Sequence, residues 1–348
     1  MTLLQANIEA VASGEPAVFS GPASPAWLRR PEQIADQGYV VDLPSDVAGQ
    51  LRDAVAGVRR HGLELDDVEQ EDVRLPGLVS AVPEILKRLD GGPGFAILRG
   101  FDLAAFCEAD AEIAAWGAGN YFGRPVRQGL RKDRRIFTVT DHQGAYKDPT
   151  RIGATTALSR PHTDNGCLEP RPPDYVFLAC YRQAKAGGDS TIISAYALHE
   201  AFAARRPELL PLLYQPFHFL PPKLHTWPDG PATIVKPIFQ VADGVLHVHY
   251  ARVMVEPGMK LAGTPLRGDQ ITALDLLDDL LADPSLVTQC RMQSGDVLLS
   301  NNRSTLHGRL AYEDDPNDPR NLKRLWLWQR HRGPGIDPLA LDQMEFGV

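Results

Sequence analysis

The chain has 348 residues, of which 43% are hydrophobic and 23% charged, and a formal net charge of −8. That is enough apolar material for a sizeable core, and the acidic balance argues against nucleic acid as a partner. No apolar run approaches the ~18 residues needed to span a bilayer, the opening MTLLQANIEAVASG lacks the basic cluster of a signal peptide, and four widely spaced cysteines without a C-x-x-C pair suit a reducing cytoplasm.

Residues 1–40 carry scattered prolines and glycines and read as irregular. Ser45 then offers a cap for a helix whose apolar positions, Val47, Leu51, Val55 and Val58, are spaced by three and four, with Gly62 to end it. A second helix is expected over Val82 to Leu89, stopped by Gly91-Gly92, followed by a buried strand at Phe95-Ala96-Ile97-Leu98. Helical character returns from Ala109 to Trp116.

Beyond about Arg135 the texture becomes short apolar β-rich runs: Ile136–Val139, Tyr175–Cys180, Thr191–Ile193, Val245–Tyr250, Val297–Leu299 and Leu325–Trp328. Many short strands with Gly/Pro-rich joins predict a sandwich or jelly roll. Two helical stretches, Ala197 to Tyr214 and Gln270 to Leu281, interrupt the series. The expected organisation is an N-terminal helical layer over residues 1–94 packed on a β core with helical insertions over 95–348, one domain in all.

Among the histidines, His162 alone is followed two residues later by an acid, Asp164, in Arg-Pro-His-Thr-Asp-Asn. In a strand, residues two apart share a face, so the imidazole and the carboxylate would converge. His307, in Asn-Asn-Arg-Ser-Thr-Leu-His-Gly-Arg, completes a two-histidine, one-carboxylate set of the kind that caps one face of an octahedral iron and leaves three positions open. The competing pair is His247 and His249, also two apart. A cupin-type metal site would need a glutamate about four residues beyond that pair, and the next one is Glu256, so a structural or pocket-lining role is the better reading. Arg320 and Arg324 follow His307 and, four apart, would share a strand face. A guanidinium is a planar fork that matches a carboxylate with two hydrogen bonds. Gly187-Gly188-Asp189-Ser190-Thr191 reads as a turn into a strand whose hydroxyls could donate to a carboxylate.

These motifs together resemble the taurine dioxygenase-like superfamily, which includes clavaminate synthase and γ-butyrobetaine hydroxylase. The resemblance rests on His-Thr-Asp-Asn, Gly-Gly-Asp-Ser, Gly-Asp-Val-Leu-Leu-Ser-Asn-Asn-Arg-Ser-Thr-Leu-His-Gly-Arg and the two arginines, in the expected order across residues 95–330. It implies a clavaminate synthase-like double-stranded β-helix (jelly roll), mainly β with flanking helices. It implies Fe(II) held by His162, Asp164 and His307, and 2-oxoglutarate held by Arg320, with Arg324 contacting the co-substrate or an anionic substrate and one of Ser190 and Thr191 reaching the pocket. Dioxygen and a small polar metabolite, such as an amino acid or its derivative, would be the other reactants. Arg131, Asn165 and Arg309 are the candidate substrate contacts, and the stretch from about Gln215 to Pro237 a candidate cover. Asp164 would fill the iron position a halide needs, so hydroxylation, desaturation or ring closure is expected and halogenation is not. A homo-oligomer is compatible with this reading. The alternatives from other classes are a cupin-type metal isomerase or sugar-modifying enzyme using His247 and His249, and a non-catalytic binding relative of the fold.

Overall fold

The computed structural model describes residues 38–126, 128, 136–142, 155–165, 172–221, 232–242 and 244–329. Two β-sheets face each other, and a layer of helices covers each outer face. The larger sheet has seven strands: β1 (Val40–Asp42), β2 (Phe95–Arg99), β14 (Val297–Asn301), β6 (Tyr175–Arg182), β17 (Asn321–Trp328) and β3 (Arg124–Val126) in that order, with β4 (Phe137–Val139) also on β17. The smaller sheet runs β13 (Thr288–Cys290), β8 (Ser190–Ser194), β15 (Thr305–Arg309) and β5 (Ser159–His162). Apart from the parallel β1–β2 pair, the ladders in both are antiparallel.

Alternation along the strands explains the layering. Phe95, Ile97, Cys180, Leu298 and Leu322 from the large sheet meet Ile192 and Cys290 from the small one in the interior. Their neighbours Leu98, Phe177, Leu299, Leu325 and Leu327 face outward beneath α1 (Val47–His61), α2 (Pro76–Asp90) and α3 (Glu108–Gly119). On the opposite side, Ile193 and Leu306 lie under α4 (Ala195–Arg205), α5 (Arg252–Leu261) and α6 (Gly268–Leu281), together with the hairpins β9–β10 (Pro216–Phe219, Ile234–Pro237) and β11–β12 (Phe239–Ala242, Val245–Val248). The sandwich with flanking helices is the expected fold class, and the segment before residue 95 also supplies an edge strand, β1, to the large sheet.

Some local expectations need correction. α1 is capped by Asp46 rather than Ser45, without a side-chain cap bond, and Gly62 ends it at φ 65° as expected. α2 starts at Pro76, where the missing N–H costs nothing, and tolerates Pro83 inside it, so it is longer at its start than the expected Val82 to Leu89. α5 was not expected, and it carries Pro257 and Gly258 inside it. That glycine is where the helix packs tightest, since a Cβ there would lie 2.3 Å from the His218 carbonyl oxygen on β9. The stretch from Ala197 divides into α4 and a 3-10 turn at Leu210–Tyr214.

Candidate metal centre

The two histidines are brought together by strand register. β5 and β15 pair so that His162 lies directly opposite His307, and directly opposed residues project from the same face. Their ring centroids are 4.9 Å apart. Asp164 arrives by a different route from the one expected. β5 ends at His162, and Asp164 lies in the turn that follows, so strand alternation does not place it. The turn is fixed instead from its neighbours. Thr163 N–H donates to the Tyr250 carbonyl at 2.9 Å. The Asn302 side chain bonds the Asp164 backbone at both its N–H and its C=O, each at 2.8 Å.

One carboxylate oxygen of Asp164, Oδ1, lies 3.4 Å from His162 Nε2, and the other, Oδ2, lies 3.7 Å from His307 Nε2. One ligand atom from each residue falls within 4.8 Å of the others, and this is the one such group of three among the described residues. Protonation favours metal binding. Burial alone would raise the Asp164 pKa, but Arg324, His307 and His162 together hold the carboxyl well below the usual range, so it is ionised. Burial pushes His307 down to about 4, leaving a neutral imidazole with a lone pair. His162 Nδ1 lies 2.8 Å from the Arg160 carbonyl, which sets the tautomer that presents Nε2. Two imidazoles and one carboxylate on a single face suit a divalent iron with open positions.

Arg320 is buried, at 2% exposure, beside the Tyr312 ring, with its guanidinium carbon 5.2 Å from the ring centroid. Its Nε has no partner among the described residues, and burial lowers its pKa. The Tyr312 side chain and the charge of Asp314 act on it, but among the described residues no carboxylate is bonded to this buried cation, and a dicarboxylate co-substrate would supply one. Gly187 and Gly188 make this corner. A Cβ on Gly187 would sit 2.4 Å from the Ala311 oxygen, and one on Gly188 would sit 3.3 Å from Tyr312 Cβ and 3.4 Å from Arg320 Nε. The Gly-Gly turn thus lets β7 (Ala186–Gly187) pass against β16 (Tyr312–Glu313).

Ser190 lies across from Arg309, on the face that carries His307, whereas Thr191 lies across from Gly308 and points to the other face. Only Ser190 is therefore on the metal side. Arg309 donates to the main-chain carbonyls of Thr155 at 2.9 Å and Ala157 at 2.8 Å, which commits it to holding that segment rather than to an open pocket. Arg324 is on Asp164 rather than beside Arg320: its Nη1 is 3.0 Å from Asp164 Oδ2, and its Nε donates to Gln128 Oε1 at 2.8 Å. Asn165 follows the metal turn at φ 45°, with its Nδ2 buried and without a partner among the described residues. Arg131 and the middle of the proposed cover, residues 222–231, lie outside the described residues, while the flanks of that stretch form the β9–β10 hairpin. His249 is buried, close to the Pro237 carbonyl at 3.2 Å, and pushed by burial down to about 3. Neither it nor His247 belongs to the metal cluster, which removes the main support for a cupin-type site.

Three residues escaped the sequence reading. Trp326 Nε1 donates to Asp164 Oδ2 at 2.8 Å, Gln128 braces Arg324, and Asn302 holds the turn. Only Trp326 left a signal, being two residues after Arg324 and so on the same strand face.

The model of the family described as taurine catabolism dioxygenase TauD, TfdA family matches residues 61–326. Among curated proteins, FR-33289 synthase from Streptomyces rubellomurinus (strain ATCC 31215) is 27% identical over 309 residues, 86% of this chain and 88% of that protein. Uridine-5'-phosphate dioxygenase from Amycolatopsis sp is 28% identical over 239 residues, 66% of this chain and 83% of that protein. Among solved structures, asparagine oxygenase in complex with Fe(II), 2S,3S-3-hydroxyasparagine and succinate superposes with a TM-score of 0.66 at 19% identity, covering 83% of this chain and 93% of that one. The non-heme iron oxygenase OrfP in complex with Fe and alpha-ketoglutaric acid does so with a TM-score of 0.61 at 17% identity, covering 85% and 95%. These likenesses identify the fold as that of the jelly-roll oxygenases.

Proposed function

The chain belongs to the TauD/TfdA family of dioxygenases, and from that premise we propose the residue roles and substrate class of its Fe(II)- and 2-oxoglutarate-dependent reaction. His162, Asp164 and His307 hold the iron. Arg320 takes the distal carboxylate of 2-oxoglutarate, with Ser190 as a hydroxyl donor on the same face. When bound, iron and 2-oxoglutarate supply the oxidising power, with dioxygen reduced as 2-oxoglutarate is converted to succinate and carbon dioxide and the substrate is oxidised. The protein's share is positioning, charge and exclusion of water. Asp164 is kept ionised and His307 neutral at neutral pH, so both enter as ligands without first losing a proton.

The observation that carries this reading is the pairing of a His-Asp-His cluster built around a buried carboxylate with the buried Arg320, which has no bonded carboxylate among the described residues. The substrate is a small polar metabolite. An amino acid or a close derivative is the first class to try, and a nucleoside phosphate the second, because relatives by fold or sequence are named for asparagine and for uridine-5'-phosphate. The free thiols of Cys107, Cys180 and Cys290 support a reducing, cytoplasmic setting.

The test is anaerobic addition of Fe(II) and 2-oxoglutarate, followed by visible absorbance. The unmodified protein should develop a weak charge-transfer band and His162→Ala should not. Succinate release across a panel of amino acids and nucleoside monophosphates then identifies the substrate. A band that survives His162→Ala unchanged would overturn the ligand assignment.

A further inference from the structure

We propose that Tyr312 is a positioning residue for the co-substrate. Its ring carries the two buried guanidiniums of this corner, and it seats Arg320 ready for the distal carboxylate while Arg309 is engaged elsewhere. The proposal rests on the reading of Arg320 as the arginine that binds 2-oxoglutarate.

The guanidinium carbon of Arg309 lies 4.5 Å from the Tyr312 ring centroid, and that of Arg320 lies 5.2 Å from it. The negative face of a ring attracts a cation, most strongly where water is excluded, and all three side chains are buried. The two arginines differ in what else they touch. Arg309 Nη2 donates to the carbonyls of Thr155 at 2.9 Å and Ala157 at 2.8 Å. Arg320 Nε has no partner among the described residues. Asp314 Oδ1 accepts from the Arg320 backbone N–H at 2.6 Å, so this carboxylate holds the main chain of Arg320.

The ring itself is fixed. Tyr312 pairs with Gly187 across the β7–β16 ladder, and its N–H donates to the Thr156 carbonyl at 3.1 Å, in the same segment that Arg309 holds. That segment runs on into β5, which ends at His162. A Cβ on Gly188 would lie 3.3 Å from Tyr312 Cβ and 3.4 Å from Arg320 Nε, so the glycine leaves Arg320 its place beside the ring.

The consequence is preorganisation. A long side chain that must be ordered when a ligand arrives subtracts that ordering from the affinity. An arginine already seated on a ring does not, and its planar fork stays available to a carboxylate.

The experiment titrates the full chain, loaded with Fe(II) under anaerobic conditions, with two keto acids. One is 2-oxoglutarate. The other is 2-oxovalerate, which has a methyl group in place of the distal carboxylate. Tyr312→Leu removes the ring and should weaken 2-oxoglutarate by about 3–10-fold, the cost of ordering one long side chain on binding. Binding of 2-oxovalerate and of Mn(II) should stay unchanged. Tyr312→Phe keeps the ring and should stay close to the parent. A crystal structure of the parent with Mn(II) and 2-oxoglutarate should show the Arg320 guanidinium still on the Tyr312 ring while it bonds the distal carboxylate, a readout that needs no variant. Equal weakening of the two keto acids in Tyr312→Leu, no weakening of 2-oxoglutarate, or a Tyr312→Phe as weak as Tyr312→Leu would overturn the proposal. So would an Arg320 that leaves the ring to reach the carboxylate. If Arg320→Met failed to weaken 2-oxoglutarate, the reading on which the proposal rests would fall instead.

Discussion

The side-chain amide of Asn302 pairs with the backbone of Asp164 as a neighbouring strand would. It accepts from the Asp164 N–H and donates to the Asp164 carbonyl, both at 2.8 Å, and its Nδ2 also reaches the Pro173 carbonyl at 3.1 Å. Asn302 lies five residues before His307, so one short segment anchors one metal ligand and carries another. Asn302→Ala would strand three backbone groups that are shielded from water. An unsatisfied buried group costs ~1–3 kcal/mol, and allowing for relaxation we expect a loss of about 3 kcal/mol in chemical denaturation. Mn(II) affinity should fall about 10–100-fold by calorimetry. Unchanged affinity would show that the turn holds its shape without the clamp.

Arg320 should trade stability for function. Its charge is buried, and among the described residues its Nε has no partner and no carboxylate is bonded to it. Arg320→Met should therefore leave the metal-free protein as stable as the parent or more so, because an unpaired buried charge is a burden that an apolar side chain of similar length lacks. The same change should weaken 2-oxoglutarate binding by ~2–5 kcal/mol while Mn(II) affinity stays within a few-fold. Paired melting curves and 2-oxoglutarate titrations check this. A strongly destabilised Arg320→Met would mean that the guanidinium is already compensated in the folded protein.

The two glycines of the Gly-Gly-Asp-Ser turn should respond differently to alanine. Both have left-handed φ, 69° and 76°, which disfavours any side chain by roughly 1–2 kcal/mol. At Gly187 the new Cβ also meets a backbone oxygen at 2.4 Å, so β7 and β16 must separate. At Gly188 the nearest atoms are side-chain atoms at 3.3–3.4 Å, including Arg320 Nε. Gly187→Ala should be the more destabilising by at least about 1 kcal/mol. Gly188→Ala should show its larger effect in the 2-oxoglutarate requirement. Equal denaturation midpoints for the two variants would count against this assignment.

Acid sensitivity should come in part from buried neutral histidines. Burial pushes His199 down to about 4 and His249 to about 3. Unfolded, each would titrate near ~6.5. Between the folded and unfolded values the unfolded chain binds the extra proton, so stability rises with pH across that window and is lost as pH falls below ~6.5, by at most about 1.4 kcal/mol per unit for each histidine. The imidazole of His199 is 2.8 Å from the Tyr214 hydroxyl, so His199→Gln can keep a hydrogen-bond partner there while removing the titration. Its denaturation midpoint should fall less steeply between about pH 6.5 and 4.5. A slope matching the parent would remove His199 from the account.

The sequence by itself determined the chemistry. Ligand type restricts a facial iron site to histidine and carboxylate, and a dicarboxylate partner calls for arginine, so His162, Asp164, His307 and Arg320 stood out through residue type and local spacing. Alternation and turn residues likewise announced the two-sheet core, but not the full extent of α2 or the presence of α5, both of which contain proline. Only the tertiary structure decided how the carboxylate is held. Asn302 and Asp164 are 138 residues apart, Trp326 and Asp164 162, and Gln128 and Arg324 196. An asparagine, a tryptophan and a glutamine are ordinary residues on most faces of most strands. They acquire their roles from which strand lies beside which and in what register, and that is set by the packing of the whole sandwich rather than by any local pattern. The same reason set Arg324 beside Asp164 and turned Thr191 away from the metal.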